Sequence, residues 1–455
     1  MKEFETFFDN RVSFGRYQYA VGFFSLFGAV AGGAFLYIMN VLPFYVQMDF
    51  FLTNKELNLL LSSFQLGQFI GGIVLGLVLD YLGRSVAVKG CLVFTIVSFV
   101  VLGLPFHLFL TAGLSFVMGV YGSFTISGYN TLISETFPSF NRSFWLVLVA
   151  TFISFGRLWG ALSAALFLSP YQIEFWKKPI FVAAFILMAV FIAFIFLLKE
   201  SIKFLYSQRR YKEMHVIANE IYHLNKGVDE GVSANQMSLE EINQLVANRN
   251  YEDSLKISSA STGLLSSKFC LLSIITFANF SIFFMLINGH VQILAKIVGM
   301  DSKSLWTNVF IISGEVVGSF LCLWLIEKPW LGGKRLIIFS TSMTCVGFFL
   351  VQFTTGNVLA GVMFLIRMCL KANLVGWTVY TADSFPTLIK GKAFGISTSC
   401  AGITNTLFPS VFLFLLEWKK ESVLWMMSGV AGLAMLQTLL LPSAKESKKR
   451  ALSTT

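Results

Sequence analysis

Four ionisable side chains stand near the middle of otherwise apolar stretches: Arg157, Glu315, Arg367 and Lys371. A charge held at a bilayer centre costs at least about 2.5 kcal/mol on insertion scales, so it meets a partner or faces a cavity. Their chemistry is that of holding charge rather than breaking bonds. Arg367 and Lys371 are four residues apart and share a helix face. Glu315 and Arg367 lie at similar depth, which allows a buried ion pair joining two helices. Three cations against one carboxylate leave a positive surplus. An anion could relieve it through charge-assisted hydrogen bonds, bidentate to a guanidinium. Arg157 and Lys371 are the candidates to hold such a carboxylate. Trp159, Trp377 and Tyr380 are candidate aromatic walls, although with 49 Phe in the chain core packing is the commoner use of any single ring. Gln18, Gln65, Gln68 and Asn130 could donate to a ligand or bond across helices, the commoner use.

No constellation for covalent chemistry accompanies these charges. The sequence contains no G-x-S-x-G, no G-x-x-x-x-G-K-[ST] and no H-E-x-x-H. The four histidines, His107, His215, His223 and His290, are scattered. The six cysteines, Cys91, Cys270, Cys322, Cys345, Cys369 and Cys400, lie in or beside apolar spans and form no C-x-x-C pair. They read as small packing residues rather than disulfide or zinc ligands. We expect no enzymatic activity, no cofactor and no bound metal.

The surrounding elements must therefore be membrane helices. Of 455 residues, 56% are hydrophobic and 13% charged, about half the charged share of a soluble domain. Mean hydropathy is +0.73. The net charge of +10 lies between apolar runs, where it signals topology rather than nucleic acid. The polar start, MKEFETFFDNRVSFGRYQ, does not read as a cleavable signal.

Windows long enough to span a bilayer fall at about 19–46, 57–80, 86–105, 108–133, 144–168, 179–198, 269–289, 304–327, 335–354, 356–381, 393–416 and 421–442. The expected fold is an all-α membrane protein of twelve helices in two six-helix pseudo-repeated halves. The division is 1–198, a linker at 199–268, a second half at 269–442, and a basic tail at 443–455. The linker reads as surface helices, ESIKFLYSQRRYKEMHVIANEIYHL and SLEEINQLVANR, the second opened by a capping box of Ser238 and Glu241. With the N-terminus cytoplasmic, about 24 of the 34 Lys and Arg lie on that side, as the positive-inside rule requires. Single cysteines around 225–250, in a background without native cysteines, are expected to resist an impermeant thiol reagent applied from outside. Labelling from that side would overturn the topology.

The halves repeat their punctuation. Gly76-Leu-Val-Leu-Asp80-Tyr-Leu-Gly83-Arg84 follows span 2, and Glu327-Lys-Pro-Trp-Leu-Gly-Gly333-Lys334-Arg335 follows span 8. Glu135-Thr-Phe-Pro138 with Arg142 follows span 4, and Asp383-Ser-Phe-Pro386 with Lys390 follows span 10. In these residues the chain resembles the major facilitator superfamily, whose G-x-x-x-D-x-x-G-R loop matches Gly76, Asp80, Gly83 and Arg84. Glu200-Ser201-Ile-Lys-Phe-Leu205-Tyr-Ser-Gln-Arg-Arg210-Tyr is similar to the end of span 6 in the sugar-porter and organic-ion branch. Gly15-Arg16-Tyr17-Gln18-Tyr19 resembles the start of synaptic vesicle glycoprotein 2-related and nicotinate-transporter-like proteins.

The resemblance implies transport of a small organic solute by alternating access within a lipid bilayer, without nucleic acid. It implies a gate of Asp80, Gly83, Arg84, Glu135 and Arg142 at the cytoplasmic face. The substrate site would draw on Arg157, Glu315, Arg367, Lys371, Trp377 and Tyr380, with an organic anion as the expected solute. The chain also departs from the family pattern. Span 1 has Ala31-Gly32-Gly33-Ala34-Phe35 where acids are usual, and span 4 has Ser115-Phe-Val-Met-Gly119 without the preceding Arg. Near Gly402, ahead of Pro409, span 11 lacks the usual Arg. Lys199 and Ile202 replace two prolines. Any proton coupling would then have to run through Glu315. The departures also motivate an alternative: a transport-inactive homologue serving as a structural subunit among other subunits of a larger membrane complex, for example in an organelle inner membrane.

Overall fold

The computed structural model describes residues 15–102, 107–138, 141–167, 177–226, 302–325, 333–384 and 420–439, with scattered positions between 396 and 415. Every described regular element is a helix. In lipid the backbone must satisfy its own hydrogen bonds, and an α-helix does so within one segment.

Six long helices form the first half: α1 Arg16–Phe50, α2 Asn54–Leu82, α3 Arg84–Leu102, α4 Leu108–Thr136, α5 Arg142–Phe167 and α6 Lys177–Leu197. Two short helices follow, α7 Ile202–Ser207 and α8 Tyr211–Lys226. The second half shows α9 Ser302–Leu325, α10 Gly333–Val351, α11 Gly356–Ser384 and α12 Lys420–Leu439. These correspond to spans 8, 9, 10 and 12. Among the described residues, seven helices are long and apolar enough to cross a membrane, and Phe185–Leu197 and Trp425–Leu439 are shorter apolar stretches. The window at 269–289 and the second linker helix lie outside the described residues.

The termini of the elements follow from local chemistry. Helix α1 is 35 residues long, about 52 Å, and overruns its apolar window at both ends. Its last residue is followed by Phe51 in the left-handed region, whose N–H donates to the Gln47 carbonyl. Thr53 then caps α2 in a reciprocal box with Glu56. The surface stretch read as one run from Glu200 is broken. Ser201 Oγ accepts from Phe204 N and starts α7, while Arg209, at φ +60°, ends it before α8 begins.

Between apolar helices in lipid the hydrophobic effect supplies no attraction, so contact depends on close packing at small residues. Helices α2 and α4 meet where Gly67 lies against the Phe116 carbonyl and Gly119 against the Phe64 carbonyl. Helices α9 and α11 meet where Gly314 lies against the Phe364 carbonyl and Gly318 against the Met368 carbonyl. A Cβ at any of these would strike backbone. Gly67-x-x-x-Gly71 and Gly314-x-x-x-Gly318 thus do the same work at matching places in the two halves. The α1–α5 contact uses Gly33 against Ile153 and Gly156 against Val30. At Gly33 that packing leaves no room for an acid, because the backbone of α5 occupies the space a side chain there would need.

Candidate functional site

Arg157 stands midway along α5, Glu315 midway along α9, and Arg367 and Lys371 midway along α11. The structure brings all four together. Arg367 Nη1 donates to Glu315 Oε1 at 2.8 Å. Arg157 Nη1 donates to both oxygens of the same carboxylate, at 3.3 and 3.4 Å. Arg157 belongs to the first half and Glu315 to the second, so this ion pair crosses the seam between them. One turn further on, the hydroxyls of Ser154 and Ser319 lie 3.0 Å apart across the same seam. The Phe155 and Phe320 rings add an edge contact at 5.7 Å.

Burial sets the energetics. Arg157 is 7% exposed, Glu315 and Arg367 1% each, and Lys371 not at all. Glu315 is shared by two guanidiniums, while Lys371 Nζ and Arg367 Nε have no hydrogen-bond partner. Lys371 lies within electrostatic reach of Glu315, Arg157 and Cys322. Among the described residues the cluster holds three cations and one anion. An unpaired buried ammonium is costly unless something completes its shell.

The aromatic candidates fall elsewhere. Trp377 and Tyr380 are buried and pack on each other, ring centroids 5.8 Å apart. They stand six and nine residues beyond Lys371, about 9–14 Å along α11, and form a layer of their own. Trp159 is a correction: it is 47% exposed and lies two residues from Arg157. Two residues along a helix turn a side chain through about 200°, so Trp159 points away from Glu315, on the same side of α5 as Phe155. Tyr37 of α1, not singled out in the sequence, lies within electrostatic reach of Arg367 and Glu315. Gln65 Nε2 donates to Asn40 Oδ1 at 3.0 Å, a bond from α2 to α1.

A second charged cluster sits where α2, α4 and α6 end. Arg84 grips Glu135 of α4 with Nε to Oε2 and Nη2 to Oε1, both at 2.8 Å. Its Nη1 donates to the Leu79 carbonyl at 2.8 Å, and its guanidinium lies 4.4 Å from the centre of the Phe204 ring. Glu200, absent from the sequence-derived candidates, completes the arrangement. Its carboxylate accepts from the backbone N–H of Arg84 at 2.8 Å and of Ser85 at 3.2 Å. These are the first free amides of α3, where a negative charge is favoured. In return Ser85 Oγ and Lys89 Nζ donate to the Leu198 carbonyl, at 3.0 and 3.2 Å, just past the end of α6. Gly83 makes this possible twice over: its φ is +99°, and a Cβ there would fall on the Glu200 carboxylate. Arg142 opens α5 and is half-buried. The Asp80 side chain and the second-half counterparts at 326–332 and 385–395 lie outside the described residues.

The comparisons with known proteins agree with this architecture. A family model described as sugar (and other) transporter matches residues 9–450. The inner membrane metabolite transport protein YgcS of Escherichia coli K12 is 26% identical over 384 residues, which cover 81% of this chain and 78% of that protein. The xylose transporter XylE from E. coli, solved in a partially occluded inward-open conformation, superposes with a TM-score of 0.71 at 15% identity, over 94% of this chain and 100% of that one. Human MFSD10 (TETRAN) superposes with a TM-score of 0.66 at 14% identity, over 92% of this chain and 99% of that one. Match length and shared fold place the chain in the sugar (and other) transporter family, as a multi-pass membrane transporter with the twelve-helix major facilitator architecture.

Proposed function

We propose that the solute is a small organic anion, carried by alternating access between two six-helix halves. The observation that carries this reading is the buried charge balance: Arg157, Arg367 and Lys371 against Glu315, with Lys371 Nζ fully enclosed and unpartnered. Glu315 neutralises one positive charge and ties the halves through Arg157. A substrate carboxylate would supply a second negative charge, and its approach to Arg157 and Lys371 from the seam would compete with Glu315 for Arg157. Binding would then loosen the tie between the halves at the depth about which they rock. MFSD10, which shares the fold, is itself an organic anion transporter. The Arg84–Glu135–Glu200 cluster would act as the gate at the cytoplasmic end, on the side of both termini.

The test is counterflow in proteoliposomes with a panel of organic anions, organic cations and neutral sugars. Anions are expected to exchange. A protein that moves only cations would overturn the electropositive site. The structural-subunit alternative draws on the same triad, since two arginines sharing a carboxylate also serve to join helices. It predicts no exchange with any panel member and purification only within a stoichiometric complex.

A further inference from the structure

Buried hydrogen-bonding atoms without a partner are few in folded proteins, and each calls for an explanation. Two of them belong to the charged cluster, and a third lies within the first half beside α1. Lys371 Nζ and Arg367 Nε are donors, and Gln65 Oε1 is an acceptor. The acceptor is locked in place. Gln65 gives its amide hydrogen to Asn40 Oδ1, and Asn40 gives its own to the Leu36 carbonyl at 2.7 Å. The Gln65 carbonyl oxygen is what remains, on a side chain only 1% exposed. Asn40 stands three residues beyond Tyr37, hence on the same face of α1 and about 4.5 Å further along. Tyr37 in turn lies against Gly160 of α5, three residues from Arg157, and within electrostatic reach of Arg367 and Glu315. The Asn40–Gln65 pair is therefore reached from the charged cluster along one face of α1, about one helical turn beyond Tyr37.

A plain carboxylate would answer the cations and leave Gln65 Oε1 unpaired. A neutral polyol would answer Gln65 and leave Lys371 bare. We propose that the solute is a polyhydroxylated carboxylate, a sugar-acid-like anion whose carboxylate meets Lys371 and Arg157 while a hydroxyl donates to Gln65 Oε1. This rests on the anion reading and makes Gln65, oriented by Asn40, a determinant of specificity rather than of charge recognition.

Gluconate and hexanoate test the proposal, because they share six carbons and one negative charge and differ in five hydroxyls. Each is used as competitor in counterflow by the full-length protein. Gluconate is expected to half-saturate at a concentration about tenfold lower than hexanoate, the worth of one good buried hydrogen bond. Gln65→Leu is expected to raise the gluconate value about tenfold and leave that of hexanoate nearly unchanged. Hexanoate competing as well as gluconate in the unmutated protein would overturn the proposal without any variant, while leaving the anion reading standing. So would a Gln65→Leu protein in which both values shift together. Competition by neither anion, with cations effective, would instead overturn the anion reading and this proposal with it.

Discussion

Glu315→Ala is expected to destabilise the protein by about 3–5 kcal/mol, the cost of breaking a buried ion pair from one side. Glu315 is 1% exposed and accepts from both Arg367 and Arg157. Without it two enclosed guanidiniums and Lys371 are left with no carboxylate in their cluster among the described residues. Thermal unfolding in detergent, followed by tryptophan fluorescence, measures the loss. Glu315→Gln is expected to fall between, because its amide oxygen still accepts but carries no charge. A double variant, Glu315→Leu with Arg157→Met, is expected to lose less than the sum of its parts, since residues in one network do not add. A shift of under about 1 kcal/mol in Glu315→Ala, within the range of exposed pairs, would contradict the burial and pairing described above.

Arg84→Lys is expected to slow transport at least about tenfold while leaving solute affinity close to that of the unmutated protein. The substitution keeps the charge and removes the fork. Arg84 uses its planar group at once for a hydrogen bond and a second close ionic contact to Glu135, a hydrogen bond to the Leu79 carbonyl and a face against Phe204, which an ammonium cannot reproduce. Glu135 would lose one of its two contacts to Arg84, and the ends of α2 and α4 would no longer be clamped. A gate acts on the rate of interconversion, so counterflow rates should fall while half-saturation holds. Equal rates in both proteins would reduce the cluster to an anchor.

Much of this was legible in the sequence because membranes make charge expensive. Four ionisable residues inside apolar windows stand out without any structure, and the structure gathers those four. What the sequence could not supply was which way they face. Depth alone paired Glu315 with Arg367 and left Arg157 for the ligand, whereas the structure sets Arg157 on Glu315 as well. That contact joins residues 158 apart in the chain. Glu200 belongs to a stretch that resembles a family signature, yet its task of capping α3 depends on a contact 116 residues away. Trp159 was a different kind of miss. Helical spacing from Arg157 already turns it to the opposite face, and nearness in sequence stood in for nearness in space. The Gly67–Gly71 and Gly314–Gly318 pairs were readable as close-packing signals and carry the internal repeat at the level of helix contacts.

The most direct test of the central claim is the apparent affinity for the best exchanged anion in a Lys371→Met protein, measured by counterflow beside its thermal stability. Lys371 is fully buried and its ammonium has no hydrogen-bond partner. If it waits for a carboxylate, methionine should raise the half-saturation concentration about ten- to hundredfold, the worth of a hydrogen bond to a charged group. The same change should leave stability unharmed or improved, because it removes an uncompensated buried charge. Anion affinity unchanged in a stable Lys371→Met protein would contradict the account.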